Sequence, residues 1–336
     1  MKIVVFDVPA ESGGALSILE EYYDKAVECS DKGITWLFVM SLPSMEETDN
    51  VRVLRFPWVK KSWLHRLYFD YVTAPNLVAK HRADRILSLQ NVTIPRTSAP
   101  QTIYVHQSLL FVDKRYRLSE HPLLWIYQNV IGKRILKSMQ KADRVIVQTN
   151  WMRDACINKA GIGGEKIEVS VPSINADIER CFRPTKSSLS TFFYPASGWI
   201  YKNHEVIVKA SILLKERRIA DYRIVFTLQG DENRHIRQLY EKAREERVPI
   251  EFIGKIAREE VFDYYTRSVL IFASYIETFG LPMLEAKLHG TPVIASDCPF
   301  SHEILDGYEK ASFFGPEDPV MLADLMETMI CKHANG

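Results

Sequence analysis

The sequence lacks any uninterrupted apolar segment near the roughly 18 residues that span a bilayer, so no transmembrane helix is expected. It also lacks a charge imbalance. Lys and Arg number 43 against 42 Asp and Glu, a formal charge of +1. No global field favours nucleic acid, and any anion must be recognised locally. Cysteine is sparse: the five are odd in number and none form a CxxC pair. Neither a disulfide framework nor a zinc site is expected; reduced thiols in a cytoplasmic protein are. The opening MKIVVFDVPAESGG does not read as a signal peptide, because Asp7, Pro9 and Glu11 interrupt its apolar run. No short repeat links the two halves, which excludes a solenoid.

What is present is alternation. At 336 residues, about two domains are expected. Short apolar runs of strand length alternate with helical periodicity from Lys2 to Val171. Proline, serine and charge then replace the apolar runs over residues 172–190, and the alternation restarts at Thr191. This predicts two doubly wound α/β domains, 1–182 and 183–336, with a cleft between them. The expected helices include Pro122–Ala142, Asn150–Ala160 with Asn150 as N-cap, and a final one over 318–332.

The most informative stretch is 269–296, VLIFASYIETFGLPMLEAKLHGTPVIAS. Val269–Ala273 reads as a buried strand and Ser274–Gly280 as a loop. A helix follows, with Pro282 in its first turn, where a missing N–H costs nothing. Leu281, Leu284 and Leu288 recur at helical spacing, Gly290 is placed for a left-handed stop, and Pro292–Ala295 reads as the next strand. Ligands of parallel sheets bind beyond the carboxyl ends of strands. The loop at such an end carries Glu277, Thr278, Phe279 and Gly280. With Leu281 it offers free N–H groups for an anion. Glu285 follows Glu277 with seven residues between them.

A second element is YPASGWIYKNH, 194–204. Lys202 falls at the start of a helix, with Asn203 as N-cap. A cation is electrostatically misplaced there unless it meets an anion. In the first half, Gly13 and Gly14 form a strand-to-helix turn that lets a backbone come close to a ligand, without the dinucleotide fingerprint. His106 follows the run Ile103–Val105 and is placed at a strand's carboxyl end. Residues 56–72 read as an amphipathic helix, with Trp63, Leu64, Leu67, Tyr68, Tyr71 and Val72 on one face and Lys60, Lys61, His65 and Arg66 nearby. Covering the first sheet is the ordinary reading; contact with a membrane surface is the functional one.

Glu277, Phe279-Gly280 and Glu285 together resemble the donor-site motif of the retaining glycosyltransferases of family 4, which have the GT-B architecture. The resemblance covers most of both halves, and its specific part is 191–296. It implies transfer of a sugar from a nucleotide-diphosphate donor, UDP or GDP, to a hydroxyl of a glycan or lipid-linked acceptor. Surface polysaccharide or glycolipid synthesis, at or near the inner face of the cytoplasmic membrane, is the implied setting. Glu277, Lys202 and His106 are the implied catalytic groups. Lys202 is implied at the donor diphosphate, His106 at the donor sugar and Glu285 at the ribose hydroxyls. The donor site also includes Gly13, Gly14, Ser197, Asn203, Ile253, Gly254, Thr278, Phe279, Gly280 and Leu281. Many relatives carry an Arg shortly before the Lys; this chain has Gly198-Trp199-Ile200-Tyr201 instead. No Asp-x-Asp occurs, so no metal is expected at the diphosphate and no cofactor beyond the donor itself. A GT-B epimerase or phosphorylase, and a non-catalytic GT-B partner subunit, are the competing readings.

Overall fold

The computed structural model describes residues 1–11, 13–29, 33–172 and 180–331. The chain forms two compact units, Met1–Ser173 and Ile174–Gly336. The expected boundary at 182/183 lies later. Phe182 N–H donates to His289 O and Arg183 N–H to Thr266 O, which ties both residues into the second unit. Residues 173–179 of the expected linker, and Lys332 of the final helix, lie outside the described residues.

Unit 1 is a parallel sheet of seven strands: β1 (Lys2–Asp7), β2 (Thr35–Met40), β3 (Val51–Arg55), β4 (Arg85–Ser88), β5 (Gln101–Tyr104), β6 (Arg144–Val147) and β7 (Ile167–Val169). Their spatial order is β3-β2-β1-β4-β5-β6-β7. Side chains of a strand alternate between faces. Val5 accordingly joins Ile18 and Leu19 of the helix Gly13–Glu28, while Val4 and Phe6 join Phe69, Ala74 and Val78 on the other face. With both faces covered, the strand must be apolar throughout, which is why it reads as an unbroken run.

Unit 2 has six parallel strands: β8 (Thr191–Tyr194), β9 (Arg223–Phe226), β10 (Ile250–Phe252), β11 (Val269–Phe272), β12 (Val293–Ser296) and β13 (Ala311–Phe314). Their order is β10-β9-β8-β11-β12-β13. In both sheets the direction of winding reverses between two neighbouring strands, β1 and β4 in unit 1 and β8 and β11 in unit 2. Chains leaving such a pair diverge to opposite faces, opening a crevice at the carboxyl ends.

Three helical expectations change. The segment 56–72 is not one helix but a 3-10 turn (Pro57–Lys61), an α turn (Trp63–Tyr68) and a π turn (Phe69–Thr73), followed by the helix Ala74–His81. Val59, Phe69, Ala74 and Val78 cover the sheet. The aromatic stripe from Trp63 to Val72 is exposed instead, between 37% and 77%. The segment 122–142 is likewise broken by a π turn at Tyr127–Ile131, between Pro122–Ile126 and Gly132–Lys141. Thr149, not Asn150, occupies the N-cap position of Asn150–Ala160.

Candidate functional site

In unit 2 the chain leaves β8, makes a 3-10 turn over Ile200–Lys202, and enters the helix His204–Glu216 through Asn203 in the left-handed region, φ 59°. Asn203 does not cap with its side chain; its Nδ2 donates to Pro316 O at 2.7 Å. The neighbouring strand β11 leads into Ser274–Gly280. A backbone bond joins the two loops, Tyr275 N–H donating to Tyr201 O at 3.1 Å, and the side chain of Tyr194 at the end of β8 fixes the first of them, its O–H donating to Lys202 O at 2.7 Å. Lys202 Nζ thereby meets Glu277 Oε1 in a hydrogen-bonded ion pair. The anion that the misplaced Lys202 charge called for is, in this state, Glu277. Both side chains keep under a fifth of their surface exposed, so the pair is partly shielded from water yet open to exchange.

Beyond Glu277, Gly280 adopts φ 96° and starts the helix Leu281–Leu288, whose first N–H groups have no intrahelical partner. The left-handed backbone there favours glycine; a Cβ would also stand 2.6 Å from Met283 Cε, the mobile end of a side chain that would have to shift. Thr278 and Leu281 are half-buried and Phe279 is buried. At the other end of the helix Gly290, φ 70°, closes it: Thr291 N–H reaches Ala286 O and Gly290 N–H reaches Lys287 O.

The face of this helix differs from expectation. Met283, Glu285 and Ala286 are buried, while Leu288 is 43% exposed. Glu285 turns inward because both carboxylate oxygens find donors there, Arg258 Nη2 at 3.2 Å and Tyr265 O–H at 3.1 Å. Burial still pushes its carboxyl above the usual range, against the pull of Arg258. Glu277 and Glu285 therefore stand in different surroundings, one on Lys202 and one on Arg258. Ser197 is exposed and precedes Gly198, whose carbonyl accepts from Asn233 Nδ2 at 2.8 Å. Ile253 and Gly254 follow β10; Gly254 has φ 76° and donates its N–H to Leu228 O at 2.9 Å.

The remaining candidates belong to unit 1. Gly13, φ 62°, and Gly14 begin a helix, and a Cβ at either would meet nothing within 4 Å. His106 follows β5, and its N–H donates to Asn91 Oδ1 at 2.7 Å. Burial lowers its imidazole to about 4, so the ring is neutral near pH 7. His106 lines a cavity of about 450 Å³ at the β1/β4 reversal, together with Pro9, Lys60, Arg66, Asp70 and Gln90.

The sequence reading missed Asp70 and Arg134, which line that cavity, and Asp7, which does not. Asp70 is buried and lies between two guanidinium groups, Arg66 Nε at 2.9 Å and Arg134 Nη1 at 2.8 Å. The i,i+4 spacing of Arg66 and Asp70 was a usable signal; Arg134 gave none, being 64 residues away in sequence. Asp7, the last residue of β1, is also buried, and neither oxygen has a well-formed hydrogen bond. Burial lifts its carboxyl to about 8, although Ala10 N–H, Arg66 and Lys60 pull it down. Among the described residues no group of three or more His, Cys, Asp or Glu side chains is placed to hold a metal ion, and no helix is long and apolar enough to cross a membrane.

Comparison with known proteins bears on both units. Residues 183–332 match the family model of glycosyl transferases group 1. The O-antigen chain mannosyltransferase RfbU of Salmonella typhimurium is 24% identical over 252 residues, covering 74% of this chain and 66% of that protein, just under two thirds. Among solved structures, sucrose-phosphate synthase from Thermosynechococcus elongatus superposes with a TM-score of 0.75 at 17% identity, over 99% of this chain and 90% of that one. Anabaena Alr3699/HepE in complex with UDP superposes with 0.68 at 15% identity, over 98% and 90%. Residues 183–332 thus carry the glycosyl transferases group 1 domain, on a chain with the two-unit GT-B fold.

Proposed function

We propose that this chain is a retaining glycosyltransferase of the family 4 type. It would move a sugar from a nucleotide-diphosphate donor, UDP- or GDP-linked, to a hydroxyl of a glycan or lipid-linked acceptor in surface polysaccharide synthesis. The observation that carries this reading is the Lys202–Glu277 pair beside the N-terminus of Leu281–Leu288, at the winding reversal of unit 2. The UDP complex of HepE, which shares the fold, agrees with such a donor.

The chemistry needs two opposite charges stabilised. The bond from the anomeric carbon to the diphosphate breaks, and its electron pair leaves on the phosphate oxygen. The acceptor oxygen bonds to that carbon on the same face, and its proton passes to the departing phosphate. Donor binding would exchange the partners of the resting ion pair. Lys202 takes the diphosphate, aided by the N–H groups of Phe279, Gly280 and Leu281. Glu277, released from Lys202, is left beside the sugar, where a carboxylate steadies developing positive charge or holds hydroxyls. Glu285 would hold the ribose through exchange with Arg258, and Ile253-Gly254 would flank the base. Ser197, Asn203 and Thr278 complete the donor loops. His106, neutral, offers a hydrogen bond and no charge to the sugar, and the Gly13-Gly14 turn leaves room for a ligand. No metal takes part in this scheme. The exposed stripe Trp63–Val72 would contact a membrane surface at the cytoplasmic face.

Hydrolysis of UDP- and GDP-sugars without acceptor, measured in EDTA, tests the proposal. Slow donor hydrolysis that needs Lys202 and Glu277 is expected. Turnover that vanishes in EDTA and returns with manganese contradicts the metal-free scheme. No donor turnover under any condition, with intact nucleotide binding, favours the partner-subunit alternative; interconversion of the donor sugar favours an epimerase.

A further inference from the structure

The cavity of unit 1 holds more hydrogen-bond donors than acceptors among its charged and amide side chains. Three cations line it, but Lys60 is already taken by Glu11 Oε1 at 2.6 Å and Pro9 O at 2.8 Å, which leaves Arg66 and Arg134 against one lining carboxylate, Asp70. Asp70 is already shared by both arginines. The amide oxygens are also taken: Gln90 Oε1 by Arg66 Nη2 at 3.0 Å, Asn91 Oδ1 by His106 N–H, and Gln107 Oε1 by Leu109 N–H at 3.1 Å. Gln90 is 4% exposed, and its Nε2 has no acceptor. A buried donor without a partner is costly, so a ligand acceptor is owed to it. A sugar hydroxyl both donates and accepts, and would find few acceptors here. A phosphate, which only accepts and carries negative charge, matches this inventory.

The rim has the opposite character. Trp63 and Leu67 line the opening and are 57% and 43% exposed, and Leu64 and Tyr68 beside them are 77% and 58% exposed. The backbone is shaped to bring the two characters together. Both π turns lie here: one holds Asp70, the other holds Tyr127 and Ile131. π turns disturb the regular helical hydrogen-bond pattern and recur at functional sites.

We propose that this cavity binds the phosphate or diphosphate headgroup of an apolar-tailed molecule, with Arg66 and Arg134 as the phosphate fork, Asp70 as the group that positions both, and Trp63 and Leu67 as the collar of the tail. The ligand class deepens the acceptor side of the transferase reading and rests on it, making the acceptor a hydroxyl-bearing molecule anchored through a lipid phosphate or diphosphate; its binding is nevertheless measurable without turnover.

The test is calorimetric titration of the full chain with dodecyl phosphate below its micellar concentration. Inorganic phosphate and the uncharged octaethylene glycol dodecyl ether serve as comparison ligands. Dodecyl phosphate should bind at least tenfold tighter than either. Arg134→Gln should lose tenfold or more, and Trp63→Ser several-fold, with Lys202→Ala unchanged. Arg134→Lys, which keeps the charge but not the fork, should fall in between, and the unfolding midpoint of each variant reports whether it folds. Equal binding of the ether, equal binding of inorganic phosphate, or loss of dodecyl phosphate binding in Lys202→Ala would each overturn the proposal. UDP titration separates this from the donor reading. UDP should bind Arg134→Gln as it binds the unaltered chain, and failure of UDP to bind either counts against the donor site alone.

Discussion

Two sheets of the same winding place polar chemistry at the same topological point, yet the two sites are built in opposite ways. In unit 2 the charges cancel in pairs: Lys202 with Glu277, Arg258 with Glu285. In unit 1 Lys60 is paired with Glu11, but one buried carboxylate is shared by two arginines, so one positive charge is left over. The reversal of winding dictates where a site can be, because only there do the connections part. It does not dictate the charge. A paired site is ready to swap partners, whereas an excess of one sign waits for a ligand to supply the other.

The contrast is most easily broken at its two carboxylates. Removing Asp70 should damage stability. Asp70→Ala leaves two guanidiniums facing each other in a partly closed cavity, and losing one member of a buried ionic cluster costs roughly 3–5 kcal/mol. Urea unfolding should show that loss. An unchanged midpoint would mean that water already screens the cluster and that Asp70 positions nothing. Removing Glu277 should instead damage activity. Glu277→Gln is expected to lower stability by no more than about 1 kcal/mol, since Lys202 keeps access to water. Turnover should fall by about 10²–10³ in Glu277→Gln and in Lys202→Ala, the scale of losing one preorganised charge-stabilising group. Near-normal turnover in either variant would remove that residue from the proposed mechanism.

The same contrast explains what the sequence disclosed. The alternation of apolar runs and helical periodicity carried both sheets, because fully covered parallel strands must be apolar on both faces. Lys202 and Glu277 were legible because each is fixed by a short local pattern: a strand, a tight turn, a helix start. The cavity of unit 1 was not, because its members come from Lys60, Arg66, Asp70, Gln90, His106 and Arg134, which only the assembled sheet brings together. The helix phases failed for a physical reason as well. Each of the two segments read as one regular helix is interrupted by a π turn, and in the first, Phe69 rather than the stripe Trp63–Val72 covers the sheet. Glu285 was placed at the ribose hydroxyls by resemblance alone; the donors Arg258 and Tyr265 that draw it inward are on another helix.

Two buried titratable groups sharpen the comparison through pH. The fold keeps a proton on Asp7 up to about pH 8, while an unfolded chain releases it near 3.8. Between those values the folded state holds the extra proton, so Asp7 lowers stability as pH rises. His204 in unit 2 behaves in the reverse sense. It is buried against Tyr194 and Phe226 with neither ring nitrogen bonded, and burial, with Lys202 nearby, lowers it to about 3 against an ordinary 6.5. The unfolded chain takes up that proton first, so His204 costs stability as pH falls below 6.5. Each group contributes a slope of up to about 1.4 kcal/mol per pH unit within its window. Asp7→Asn should flatten the profile between pH 4 and 8, and His204→Phe should flatten it between about 6.5 and 3. Profiles that match the unaltered chain would show that neither group is held in its uncharged form.

The smallest expected change in stability belongs to the outward stripe of unit 1, which has no counterpart among the site residues of unit 2. Leu64 is 77% exposed, so its side chain contributes little to the core. Leu64→Ser should therefore shift the unfolding free energy by less than about 0.5 kcal/mol. If the stripe meets a membrane, however, each buried side chain of this kind adds about 1.5–3 kcal/mol to binding, and Lys60, Lys61 and Arg66 add attraction for anionic lipid. Co-sedimentation with anionic vesicles at low salt should pull down the unaltered chain and lose much of Leu64→Ser. Salt should weaken binding through the lysines without restoring any difference in stability. If the unaltered chain stays in the supernatant at low salt, the stripe is surface that touches no bilayer, and the cavity beside it must draw its amphiphile from solution.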